Sequence, residues 1–161
     1  MINKKVTEML NEQINKELYS AYLYVEINNY FEGRGLKGFA HWYKVQAEEE
    51  CDHAKRIYEY LHDEGVNVKL KAIESPHTEF ACDMEVLQRA LEHEKYITRS
   101  IHEVYDTAWE AHDHRTMQFL DWFVAEQAEE ERNANDMIDN LRLADNCSAA
   151  LLMLDREYAK R

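Results

Sequence analysis

Six polar residues fall where apolar stripes should run unbroken. Glu17 lies between Ile14 and Leu18, Glu50 and His53 between Trp42 and Ile57, Glu94 between Leu91 and Ile97, and Gln127 and Glu130 between Val124 and Ala134. Burying one unpaired carboxylate costs several kcal/mol, and four together repel, take up protons or unfold the core that holds them. Cations remove that cost. Glu17, Glu50, Glu94 and Glu130 balance two divalent ions, and His53 and Gln127 add two neutral ligands. Oxygen-rich coordination with one imidazole and no thiolate suits iron or manganese better than structural zinc. Carboxylates also bridge two ions and tolerate the change from ferrous to ferric charge. The Glu-x-x-His spacing in "QAEEECDHAKR" is weak evidence by itself, because a lone Glu usually sits at a stripe edge. Its coincidence with interruptions on three other segments is what points to a two-metal site.

Those segments must be helices for the interruptions to meet. The first is expected over about Lys4 to Phe31, where Met9 or Leu10, Ile14, Leu18, Ala21 and Val25 recur at steps of three and four and so share one face. Gly33-Arg34-Gly35 ends it, and so short a turn forces an antiparallel neighbour. The second spans about Leu36 to Glu64, with Phe39, Trp42, Ile57, Tyr60 and Leu61 on its inner side. A third, about Cys82 to Ala111, and a fourth, about Arg115 to Leu143, are joined through the short polar "HDHR" and are antiparallel in turn.

The connection "GVNVKLKAIESPHTEF", residues 65 to 80, is too long for a tight turn. Extended at ~3.3 Å per residue it reaches roughly 50 Å, against about 42 Å for a helix of roughly 28 residues. It therefore crosses the length of the bundle and leaves the second and third helices parallel. The expected fold is all-α: a four-helix bundle with one long crossover plus a short fifth helix, about Ala149 to Lys160, in a single domain over residues 1–161. Leu151, Leu154 and Tyr158 form a stripe on that fifth helix. Because four helices already close a core, the stripe is expected to seek another surface, such as a second subunit.

Composition agrees with this reading. Hydrophobic residues make up 45% and charged residues 32%, with one Pro and four Gly in 161 residues, few breaks for a chain of that length. No apolar run approaches the roughly 18 residues that span a bilayer, and "MINKKVTEMLNEQ" lacks the pattern of a secretory signal. Cys51, Cys82 and Cys147 are odd in number and form no Cys-x-x-Cys pair, which argues for the reducing cytoplasm. A net charge of −13 repels nucleic acid and anionic membranes and attracts cations.

Taken together, "LNEQINKELYSAYLY", "QAEEECDHAKRIYEYL", "HEKYITRSI" and "FLDWFVAEQAEEER" closely resemble the ferritins of the bacterial non-haem type, over nearly the whole chain. The resemblance implies a ferroxidase centre of Glu17, Glu50, His53, Glu94 and Gln127 that binds two irons, with Glu50 as the bridge. It implies a third iron site at Glu49, Glu126 and Glu129, with Glu130 shared, and a hydrogen-bonding or redox role for Tyr24 beside the metals. It also implies a hollow 24-subunit shell in which ferrous iron is oxidised by dioxygen or hydrogen peroxide and stored as ferric mineral. No haem is expected. Gln127-x-x-Glu130 stands where the bacterioferritins carry a second Glu-x-x-His, and Cys51 where they carry the haem-ligating Met. Two other classes remain open at this point. One is a bundle that buffers metal without turnover. The other is a di-iron peroxidase of the rubrerythrin kind, against which the missing Cys-x-x-Cys pairs argue.

Overall fold

The computed structural model describes residues 2–76 and 79–161. Five helices follow in order: α1 (Lys4–Arg34), α2 (Lys37–Asp63), α3 (Asp83–Glu110), α4 (His114–Ala144) and α5 (Ser148–Tyr158). The first two pairs form antiparallel hairpins, and α1 also packs on α3. Among the described residues no helix is long and apolar enough to cross a membrane.

Local chemistry sets the helix ends. The Asn3 side chain accepts from the amides of Lys5 and Val6 at 2.8 and 3.4 Å and starts α1. Helix α1 runs three residues past the expected stop at Phe31, because the left-handed residue that closes it is Gly35, at φ 75°, and not Gly33. Asp113 caps α4 through the Thr116 amide at 3.2 Å. The crossover is stapled along α1: Asn11 exchanges hydrogen bonds with Lys69 in both directions at 2.8 Å, and Asn15 donates to the Ala72 carbonyl at 3.1 Å. Residues 77 and 78 of the expected crossover lie outside the described residues.

The core comes in two apolar halves. One gathers Leu23, Ile27, Phe31, Phe39 and Tyr43 with Leu87 and Ile138; the other gathers Leu10, Ile14, Ile57, Leu61, Ile101 and Phe123. The six interrupting polar residues are all buried, each no more than 5% exposed. One core expectation fails, for Val25 is 52% exposed. The buried seam of α1 runs through Leu10, Ile14, Glu17, Ala21, Tyr24, Ile27 and Phe31, the average step of about 3.5 residues that left-handed bundles impose. Two consecutive steps of four, from Glu17 through Ala21 to Val25, walk off that seam.

The expectation for the fifth helix also needs correction. Its stripe is covered by its own bundle: Leu151 and Leu154 pack on the first core half, and the Tyr158 ring meets Phe39 and Trp42 edge-on at 4.8 and 5.4 Å. Helix α2 has no side-chain cap of its own, and α5 supplies one. Asp155 Oδ1 accepts from the Gly38 and Phe39 amides at 2.8 and 3.0 Å. The backbones come so close that a Cβ on Gly38 would lie 1.6 Å from the Asp155 carbonyl oxygen. Gly38→Ala is therefore expected to push α5 off its seat at a cost of about 1–3 kcal/mol, and Asp155→Ala to lose about 1 kcal/mol of capping. Both should lower the melting temperature and speed proteolysis in the 145–147 linker. Unchanged melting and cleavage in Gly38→Ala would contradict this docking.

Candidate metal centre

Each interrupting residue reaches the gap between the two core halves because its helix presents its buried face there. One oxygen of Glu17, one of Glu50 and one nitrogen of His53 lie within 4.8 Å of one another, and one ligand atom each of His53, Glu126 and Glu130 do the same. The imidazole is shared, with Nδ1 3.3 Å from Glu50 and 4.0 Å from Glu17, and Nε2 3.8 Å from Glu126. Glu94 faces these groups from α3. It accepts a short hydrogen bond from the Tyr24 hydroxyl and another from the Gln127 amide at 3.0 Å.

The flanking acids fare differently. Glu126 is half-buried and joins the His53 cluster, whereas Glu129 is exposed and belongs to no such group among the described residues. Glu49 is paired with the guanidinium of Arg161.

The fold also recruits residues that the stripe argument passed over. Gln46 donates to Glu130 at 2.7 Å and to Glu50 at 3.4 Å. Gln13 donates to Glu17 at 2.7 Å and accepts from Ser100 at 2.6 Å, and Ser100 in turn accepts from Lys16 at 2.6 Å. A signal for both glutamines was present: each stands four residues before a carboxylate on the same helix, one turn away.

Electrostatically the layer is unstable as a set of anions. Burial, reinforced by Glu50, raises the Glu17 carboxyl well above its ordinary range. Burial and the charges of Glu94 and Glu130 do the same for Glu50. Burial outweighs two hydrogen bonds at Glu94, raising it, and pushes Glu130 up to about 8. Burial also raises the Tyr24 phenol, with the Glu94 charge adding to it, so its hydroxyl stays protonated and donates.

Two atoms decide what the arrangement fits. Glu17 Oε2 and His53 Nδ1 are buried with no hydrogen-bond partner. Two buried polar atoms 4.0 Å apart, neither with a hydrogen-bond partner, fit a cation placed between them. A surface cavity of about 420 Å³ between α2 and α4 reaches His53; four carboxylates, Glu49, Asp52, Glu59 and Glu126, line it with two basic residues, Lys55 and Arg56. The arrangement is a buried, oxygen-rich cluster of ligand atoms that fits a cation, beside a mouth that is acidic on balance.

Known proteins share this arrangement of the chain. The family model for the ferritin-like domain matches residues 7–144. A bacterial non-haem ferritin of Staphylococcus haemolyticus is 36% identical over 162 positions, covering 100% of this chain and 97% of that protein. Another from Campylobacter jejuni is 34% identical and covers 99% and 95%. Among solved structures, an open pore ferritin from the hyperthermophilic archaeon Archaeoglobus fulgidus superposes with a TM-score of 0.98 at 43% identity, over 100% of this chain and 99% of that one. A closed form of the same ferritin, engineered by mutagenesis, gives 0.97 at the same identity.

Proposed function

Since the chain belongs to the ferritin family and matches bacterial non-haem ferritins along its length, we propose that it is a cytoplasmic iron-storage ferritin with ferroxidase activity. The observation that carries this reading is the pair of orphaned buried ligand atoms, Glu17 Oε2 and His53 Nδ1, inside a layer of four costly carboxylates. Ferrous iron is the substrate. Glu17, Glu50 and His53 hold one ion; Glu94, with Gln127 beside it, holds the second; and Glu50 bridges them. Each ion gives up one electron, and the pair reduces dioxygen to hydrogen peroxide or hydrogen peroxide to water. The protein's part is to fix the two ions close together, exclude other ligands and compensate the growing positive charge.

The hydroxyl of Tyr24 orients the Glu94 carboxylate and lies where an electron could be drawn from the phenol. On the flank, Glu126 and Glu130, with Glu49 beside them, form the third site, which receives an ion on its way to the cavity; Glu129, exposed and outside the cluster, is left out of it. Subunits assemble into a 24-subunit shell, and exposed Leu143, Leu152 and Met153 offer apolar surface for that contact. The mineral grows inside.

Aerobic addition of ferrous iron to the metal-free protein tests the reading against simple metal buffering. Oxygen uptake that tracks iron at low loading, followed by iron eluting with the protein at shell size, is the expected result. Stoichiometric iron binding without oxygen or peroxide consumption would instead establish a buffer.

A further inference from the structure

Arg161 lies 112 residues from Glu49 in sequence, yet its guanidinium is bonded to the Glu49 carboxylate. A second arm, Nη1, donates to the Gln46 Oε1 at 2.8 Å. The guanidinium also lies over the Trp42 ring, 4.1 Å from its centroid. The Arg161 carbonyl is 3.1 Å from His41 Nε2, and the arginine side chain is only 18% exposed. A forked, stacked and largely covered guanidinium is not a surface charge that happens to pass an acid. Its reach into the site has two effects. By taking Gln46 Oε1, it turns the amide nitrogen of Gln46 toward Glu130 and Glu50, which need donors. By taking Glu49, it places a permanent positive charge where the acidic mouth would otherwise offer a carboxylate to a metal ion.

We propose that Arg161 is a displaceable resident cation of the metal centre's flank: it occupies Glu49 and sets how tightly a third ion binds there. The inference rests on the third site proposed above. An incoming divalent ion competes with the guanidinium for the same oxygen atoms, so the third ion binds weakly and leaves readily toward the cavity. The two inner ions do not meet Arg161 and feel it only through the long 3.4 Å bond from Gln46 to Glu50, so their affinity should change far less than that of the third. Docking of α5 through Asp155 and Tyr158 positions the arginine, which makes the fifth helix a regulator of the flank.

Anaerobic calorimetric titration with ferrous iron, and with zinc as a redox-inert probe, tests this. Wild type should bind two ions tightly and a third weakly. Arg161→Ala, and Arg161→Met, which keeps the apolar contact with Trp42, should each tighten the third ion about tenfold, the scale of one charge-assisted bond. Arg161→Lys should restore much of the competition. Adding Glu49→Gln to Arg161→Met should abolish the gain, which separates loss of the ion pair from loosening of Gln46. A third-ion affinity within twofold of wild type in both Arg161→Ala and Arg161→Met would overturn the proposal, as would a gain that survives without Glu49. Fewer than two ions bound by wild type would refute the metal-centre reading, and this inference with it.

Discussion

Glu50→Ala is expected to slow the initial oxidation of ferrous iron by more than about 100-fold, because losing even a residue that only supports a metal ligand commonly costs 10–100-fold. Glu50 stands among three other carboxyl-bearing side chains and 3.3 Å from His53, so in the proposed centre its removal would deprive both ions of their common ligand at once. Glu50→Gln separates function from folding. It keeps the side chain's shape and its bond from Gln46, but removes a charge that burial and two neighbouring glutamates oppose. The metal-free Glu50→Gln protein should therefore melt no lower than wild type and elute at the same volume, while oxidising iron at a small fraction of the rate. A wild-type initial rate in either variant would remove Glu50 from the centre.

The second large effect concerns protons. In the metal-free fold Glu17, Glu50 and Glu94 are held above their ordinary value of 4.5, and Glu130 at about 8. A carboxyl raised in this way binds more protons folded than unfolded, so the stability it contributes is complete below pH 4.5 and is lost as pH rises through its folded value, about 8 for Glu130. These groups should therefore lower the melting temperature of the metal-free protein as pH rises above 4.5. Metal reverses the sign by binding the deprotonated carboxylates of the native state alone. With metal at about 100 times its dissociation constant, the gap between loaded and metal-free melting should be about 5–10 °C near neutral pH. It should shrink toward pH 5, where protons displace the ion. Calorimetric scans at pH 5 and pH 8, with and without a redox-inert divalent ion, check this. A gap that is constant across that range would mean that the metal does not bind these carboxylates.

Much of the fold could be read from spacing because its causes are local. Steps of three and four residues define helix faces, a Gly-x-Gly stretch ends the first helix to within three residues, and a 16-residue connection is the right length to cross a bundle and too long for a hairpin. The candidate site was legible for the same reason, since Glu17, Glu50, His53, Glu94, Gln127 and Glu130 each break a local pattern. What spacing could not supply were the choices made between distant elements. Val25 is exposed because neighbouring helices select a seam of about 3.5 residues per step, not four. Helix α5 lies on its own subunit because Gly38 lacks a side chain where the Asp155 backbone passes, a fact about two segments 117 residues apart. Glu49 and Glu126 look alike in sequence, as acids one residue from a proposed ligand. Packing sends one to Arg161 and the other to His53, because a carboxylate in a part-buried layer is claimed by whichever cationic or polar partner the tertiary fold brings within reach.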